Sequence, residues 1–545
     1  MKSIVKSLLT AAIISLGVPS IGFGQTDEVT FHKDIQPILQ RSCQNCHRAG
    51  GGGPMPLVNY EEVAPFAGLI EYKTGLRDRA GAMPPWYVEK DIGIQDFKSD
   101  VSLSDEEVAA ISTWARNGTP EGDPADAPEP LVFDDTLKWQ AGEPDFVVKM
   151  AETTKLAGTP DWWGNVESVP TGMTEDRWVK SVEIVEVNDV DTTKASGTVG
   201  GRYIFHHMLW GTAQIDEDGR TARGLEAPWP VHEVGRNADI FDEGAGRLLK
   251  ANSWIYSDSV HLHSNGVDTT GHLEIGFRFH PRDYQPKYRG SFLVTGNSVD
   301  ISVVPNKDRQ ELHAYSALNQ HTKIISFEPH LHAPGERMCL EMIWGHQRET
   351  LSCVGYDHNW VRTYQYADHA QPLIPRGAIL HITGYMDNTE NNANIPDPRN
   401  WQGSGNASTS NMFLDLGLKV TLSEEQFLEE MEERRQLIEF LKISKLVLDH
   451  CTDDIVATVL ALPRSDFHSL LFLLARCGDE SAFLELLSRD ATFISHPFFA
   501  RSLEGWTAEE ARSRDRPRSS SGGRTRGGGD RRRSGDRNRP RQVRR

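Results

Sequence analysis

Between residues 137 and 420 the sequence is a succession of short runs in which apolar and polar residues alternate, among them "YIFHHMLWG", "HLEIGFRF", "SFLVTG", "KIISFEPHLH" and "AILHITGYM". Gly, Asn, Asp and Pro separate the runs, and helical periodicity is scarce. Side chains that alternate with a period of two belong to strands with one buried face, and that face needs a second sheet to cover it. The stretch is too long for one core, so it predicts two tandem antiparallel sandwiches, over 137–300 and 301–421.

The flanks read differently. Residues 1–24, "MKSIVKSLLTAAIISLGVPSIGFG", pair two early lysines with a short apolar core and small residues, the layout of a secretory signal peptide cleaved near Gly24. No later run approaches the ~20 apolar residues of a membrane span. A periplasmic or secreted protein is expected. Residues 25–120 form a small helical module, closed by a capping box of Ser104 and Glu107. An acidic, Pro-rich linker over 121–136 follows. A helical domain is expected over 422–505, opened by a second capping box, Ser423 with Gln426. Residues 506–545 are Arg- and Gly-rich and cannot build a core, so a disordered tail is expected. The formal charge of −19 includes +11 from this tail, since residues 511–545 hold 14 Arg against 3 Asp. The remaining chain is strongly acidic, which argues against nucleic acid as a partner. The tail's cationic charge suits an anionic envelope surface, a polysaccharide or an acidic partner.

In the N-terminal module Cys43-Gln44-Asn45-Cys46-His47 is a C-x-x-C-H motif. Two thiols at that spacing can bond the haem vinyl groups while the adjacent imidazole faces the iron. A thioether can close the other side: Met83 in "GAMPPWYVEK" is preferred to Met55, because two prolines stiffen the loop behind it. With its M-P-P-W segment the module resembles small bacterial cytochrome c domains, which implies one covalently attached c-type haem and an electron-carrying role. Of the other cysteines, Cys339 and Cys353 lie nearly symmetrically about a Gly-His turn, where a cross-strand disulfide is possible. Cys451 and Cys477 sit at helix ends, and their pairing is open.

Three histidine groups punctuate the β region: His206-His207 in "FHHM", His261 and His263 in "VHLHSNG", and His330 and His332 in "EPHLHAPG". An H-x-H in a strand sets both imidazoles on one face, within reach of one ion. Met412, after the polar loop "GSGNASTSN", adds a thioether, and thioether with imidazole favours copper. His232, His272, His280, His313, His321 and His358 read as ordinary surface or core residues.

The order of these motifs resembles the copper type II, ascorbate-dependent monooxygenases, the family of peptidylglycine hydroxylating and dopamine β-monooxygenases, over about residues 140–420. The resemblance implies that the two sandwiches are tandem jelly-roll-like folds holding one copper ion each, facing each other across a solvent-filled cleft. It implies that His206, His207 and His263 hold the electron-transfer copper, His263 being chosen over His261 for the histidine-turn-strand pattern that follows. It implies that His330, His332 and Met412 hold the catalytic, oxygen-binding copper. The expected activity is hydroxylation of a C–H bond of an organic substrate with dioxygen, with an external donor supplying electrons through the fused haem. Ser410-Asn411 stand where the family more often has acidic residues, and the family's peptide-anchoring Arg and Tyr have no match, so a peptidylglycine substrate is not implied. The alternative class is an electron-transfer protein, or a copper reductase of a small inorganic molecule, without hydroxylase activity.

The adjacent pair His206-His207 poses a geometric problem. In a regular strand the two rings face opposite sides. For both to reach one ion, the strand must bulge or end there, or the rings must bend back to coordinate through Nδ1.

Overall fold

A computed structural model describes residues 28–436, apart from 49–50, 52, 134–138, 192–198, 215–228, 235–237, 298–299 and 406–409. The signal segment 1–24, Cys451, Cys477, the helical domain beyond residue 436 and the Arg-rich tail lie outside the described residues. Among the described residues no helix is long and apolar enough to cross a membrane.

Among the described residues the chain is mainly β, with most of its helices in the N-terminal part. There, Phe31–Ile35, Gln36–Ser42, Ala67–Gly75 and Asp105–Arg116 surround a core of Phe31, Leu39, Leu57, Ile70, Ile111 and Trp114. The Ser104–Glu107 capping box is formed in both directions, satisfying two amides that the first helical turn leaves without intrahelical acceptors.

This module is not separated from the β region as its predicted limits imply. Val88–Gly93 leaves the module and pairs antiparallel with Gln347–Gly355, becoming an edge strand of a five-stranded sheet. Phe97 stacks on Tyr366 and Trp86 packs edge-on against Tyr364. Arg337 pairs with Glu89 over the same seam. The module and the later β region therefore share a buried aromatic boundary.

The first sandwich sets two antiparallel sheets face to face. One is built on Arg177–Asn188 and Thr269–Phe279, with Arg247–Leu249 and Phe146–Lys149 outside them. The other runs Trp162–Gly164, Ser253–Leu262, Phe205–Gln214, His232–Glu233. Val182, Ile275, Phe277, Met208, Trp210, Trp229, Ile255 and Val260 fill the space between them.

In the second sandwich the five-stranded sheet runs Val88–Gly93, Gln347–Gly355, Gly335–Trp344, Ile379–Asn388, Lys307–Ala317. A four-stranded sheet, Arg289–Phe292, Leu418–Leu422, His321–Ile324, Leu373–Ile374, and a three-stranded one, Thr295–Asn297, Phe413–Asp415, Pro329–Leu331, complete the β structure around it. Arg289–Phe292 and Thr295–Asn297 thus pair with the end of the β region. The boundary between sandwiches falls between Phe279 and Arg289, earlier than the expected residue 300.

Cys339 and Cys353 are direct partners on neighbouring strands and form a disulfide. Lys323, buried, lies 3.0 Å from Asp242 of the first sandwich and 3.1 Å from Glu430 of the helix that follows the second. That helix runs from residue 424 through 436, the last described residue, and opens on the Ser423–Gln426 capping box.

Candidate metal centre

The strand Phe205–Gln214 carries the paired histidines, and its register against Ser253–Leu262 slips there: His207 faces His261, whereas Phe205 faces Leu262. His206 is the extra residue of a β-bulge. The packing shows the same slip, since Phe205, Met208 and Trp210 all enter the first core although Phe205 and Met208 are three residues apart. A regular strand would send one of the two imidazoles inward. The bulge turns both away from that core. On the partner strand Val260 and Leu262 point into the core, so His261 between them points to the same outer side as the pair.

Ligand atoms of His206, His207 and His261 lie within 4.8 Å of one another. Two imidazoles bound to one ion at about 2 Å per metal–nitrogen bond place their ring centroids roughly 5 Å apart. The observed separations are 4.8 Å for His206–His261, 5.5 Å for His207–His261, 5.7 Å for His206–His263 and 6.1 Å for His206–His207. The compact triad thus uses His261, where the sequence pattern favours His263.

Two of the rings are held through Nε2. His261 Nε2 is 2.9 Å from Asp161 Oδ2, and the ring stacks on Trp163 at 4.5 Å. His263 Nε2 bonds the Tyr203 carbonyl at 2.7 Å. The Nδ1 atoms of His206 and His261 are buried without a hydrogen-bond partner. Glu186 fixes the approach to the bulge, accepting from the amides of Ile204 and Phe205, each at 2.9 Å.

The second set comes from the other sandwich. His330 lies on Pro329–Leu331, which pairs with Phe413–Asp415. Leu331 between the two histidines is fully buried, which places both rings on the opposite face. The register Leu331 to Phe413, continued one residue, sets His332 opposite Met412. His332 Nδ1 bonds the Ser410 carbonyl at 3.0 Å, and His330 Nδ1 lies 2.8 Å from Glu233 Oε1. Each ring thus turns its Nδ1 to an oxygen, the arrangement in which an outer oxygen fixes tautomer and orientation.

The two sets are not divided by a cleft. His206, His207, His330 and His332 are all buried. His358, which nothing in its local sequence marks out, stands between them, its ring 5.2 Å from His206 and 6.5 Å from His332. Burial, reinforced by the neighbouring imidazoles, holds His206 and His207 well below the ordinary histidine range. It lowers His261 and His263, and brings His358 down to about 4. All five are neutral at neutral pH, the state in which imidazole binds a metal. The other histidines have local partners: His280 stacks on Tyr284, His321 is 3.0 Å from Glu424, and His272 is 3.5 Å from Glu274.

In the N-terminal module Cys43 and Cys46 are both unbonded thiols, three residues apart beyond the helix Gln36–Ser42. Burial pushes the Cys43 thiol up to about 12, with the neighbouring Cys46 acting in the same direction. His47 Nδ1 bonds the Met55 carbonyl at 3.0 Å, leaving Nε2 as its ligand nitrogen. Gly53 packs so closely that a Cβ there would stand 2.6 Å from the His47 ring. Met83 is 37 % exposed, whereas Met55 packs against the helical core.

No family model matches the sequence, and no curated protein matches it either.

Proposed function

We propose that the protein is a copper-dependent monooxygenase that hydroxylates a C–H bond of an organic substrate with dioxygen, receiving electrons through a c-type haem. The observation that carries this reading is the convergence of buried imidazoles from both sets, several of them turned by one nitrogen to an oxygen. Copper binding is the chemistry these donors suit: imidazoles in both sets, with the thioether of Met412, next to Phe413 on the strand paired with the second, as a soft donor. His206, His207 and a third imidazole would hold one copper, and His330, His332 and Met412 the other. Cys43 and Cys46 would bond the haem while His47 ligates its iron, with Met83 as the preferred opposite ligand. Copper of this kind activates dioxygen and stores single electrons, which the haem relays. The residues position the rings, keep them neutral and exclude bulk water, which limits loss of reactive oxygen species.

The burial of the cluster favours a second reading, an electron carrier or a reductase of a small inorganic molecule, because a small molecule enters a closed site more readily than a large one. Two measurements test the proposal. Metal analysis should give one haem and two coppers per chain, with one copper lost in Met412→Ala; zinc in both sites would overturn the redox reading. Isotopically labelled dioxygen should appear in an organic product, whereas oxygen consumption without labelled product would favour the reductase.

A further inference from the structure

We propose that His358 is a ligand of the metal held by His206, His207 and His261, a fourth imidazole of that set. The inference rests on the metal-centre reading above and adds a residue that the sequence pattern assigns to none of the sites. Its ring is 5.2 Å from His206, close to the separation of roughly 5 Å for rings sharing one ion. Its Nδ1 is buried without a hydrogen-bond partner, as are those of His206 and His261. A buried polar nitrogen with no partner is destabilising, and three in one cluster are best accounted for by something bound among them. The backbone that delivers His358 is fixed. The neighbouring Asp357 carboxylate accepts from the Gly81 amide at 2.8 Å, from the Asn359 amide at 2.9 Å and from the Tyr87 hydroxyl at 3.3 Å.

The test uses the full chain with haem attached, stripped of other metals and titrated with Cu(II) alone. Affinity is read by competition with a chelator, and the number of imidazoles by electron paramagnetic resonance and X-ray absorption. His358→Ala and His358→Gln should each weaken the first copper about tenfold or more and remove one imidazole from the count. The glutamine variant keeps a polar side chain of similar reach, and circular dichroism with the haem spectrum confirms that it folds. If both His358 variants bind copper with unchanged affinity and imidazole count, the assignment is wrong and the remaining cluster stands. If the unaltered chain takes up no copper, the metal-centre reading fails and this inference falls with it.

Discussion

Glu233 is paired in register with His207 on one sandwich and places its Oε1 2.8 Å from His330 Nδ1 on the other. One carboxylate thus ties the bulged strand of the first histidine set to the H-x-H of the second. Replacement by Ala should free the His330 ring to rotate and weaken copper at the His330–His332 set about 10- to 100-fold. Glu233→Gln, which keeps an acceptor oxygen, should lose less. Chelator competition measures both, and equal affinities in all three proteins would show that Glu233 does not orient the ring.

The metal-free protein should lose stability in acid through its histidines. His358 is held at about 4, against an ordinary value near 6.5, and His206 and His207 lie well below that ordinary value. Between these values the unfolded chain binds protons that the folded chain does not, so this contribution is complete above about pH 6.5 and is lost as pH falls toward 4. His358 alone accounts for on the order of 2 kcal/mol, allowing for partial exposure. Glu186 and Asp415 act with the opposite sign, because burial raises both to about 7 and their penalty is relieved as pH falls. The two effects separate by difference: Tm of metal-free His358→Gln should vary less with pH than that of the unaltered protein between pH 6.5 and 4. Parallel curves would contradict the assignment.

Glu186 anchors the bulge through two backbone amides, and Asn188 donates to the same carboxyl. Glu186→Ala should leave those buried amides without acceptors and cost about 3 kcal/mol in urea unfolding. Glu186→Gln retains an acceptor and removes a buried ionisable group, so it should cost less than about 1 kcal/mol. A small loss in the alanine variant would mean that other groups set the approach to His206.

What the sequence revealed follows from how local each signal is. Alternation across 137–420 gave the β class, and the two capping boxes marked helix starts correctly because each lies within four residues. For one ion to hold both adjacent histidines, the sequence called for a bulge, an end to the strand or rings bent back through Nδ1, and a bulge is found at His206. The choice between His261 and His263 turned on a motif, whereas in the structure it turns on which residue faces His207 across the sheet. His358 was illegible because its place depends on Asp357 meeting Gly81 and Tyr87, residues some 270 positions earlier. The edge strand Val88–Gly93 was hidden for the same reason: its pairing partner is far along the chain.

That long-range seam supports the last prediction, the route by which a haem in the N-terminal module would reach the histidines. The Arg202 guanidinium donates to the Gly51 carbonyl at 2.6 Å, and Gly51 lies so close to Cys46 that a Cβ there would overlap the Cys46 carbonyl oxygen. The next residue, Tyr203, accepts from His263 through its own carbonyl at 2.7 Å. Two consecutive residues thus connect the C-x-x-C-H loop to the first histidine set. Arg202→Ala should slow anaerobic reoxidation of the reduced haem by bound Cu(II) severalfold, with haem spectrum and copper content unchanged. Replacing His47 or Met83 should abolish turnover with a protein electron donor while ascorbate still supports it, because ascorbate can reduce copper without the haem. Haem reoxidation at an unchanged rate in Arg202→Ala would place the route elsewhere along the seam. Equal loss with both donors, with the copper sites still loaded, would mean that the haem does not feed the copper.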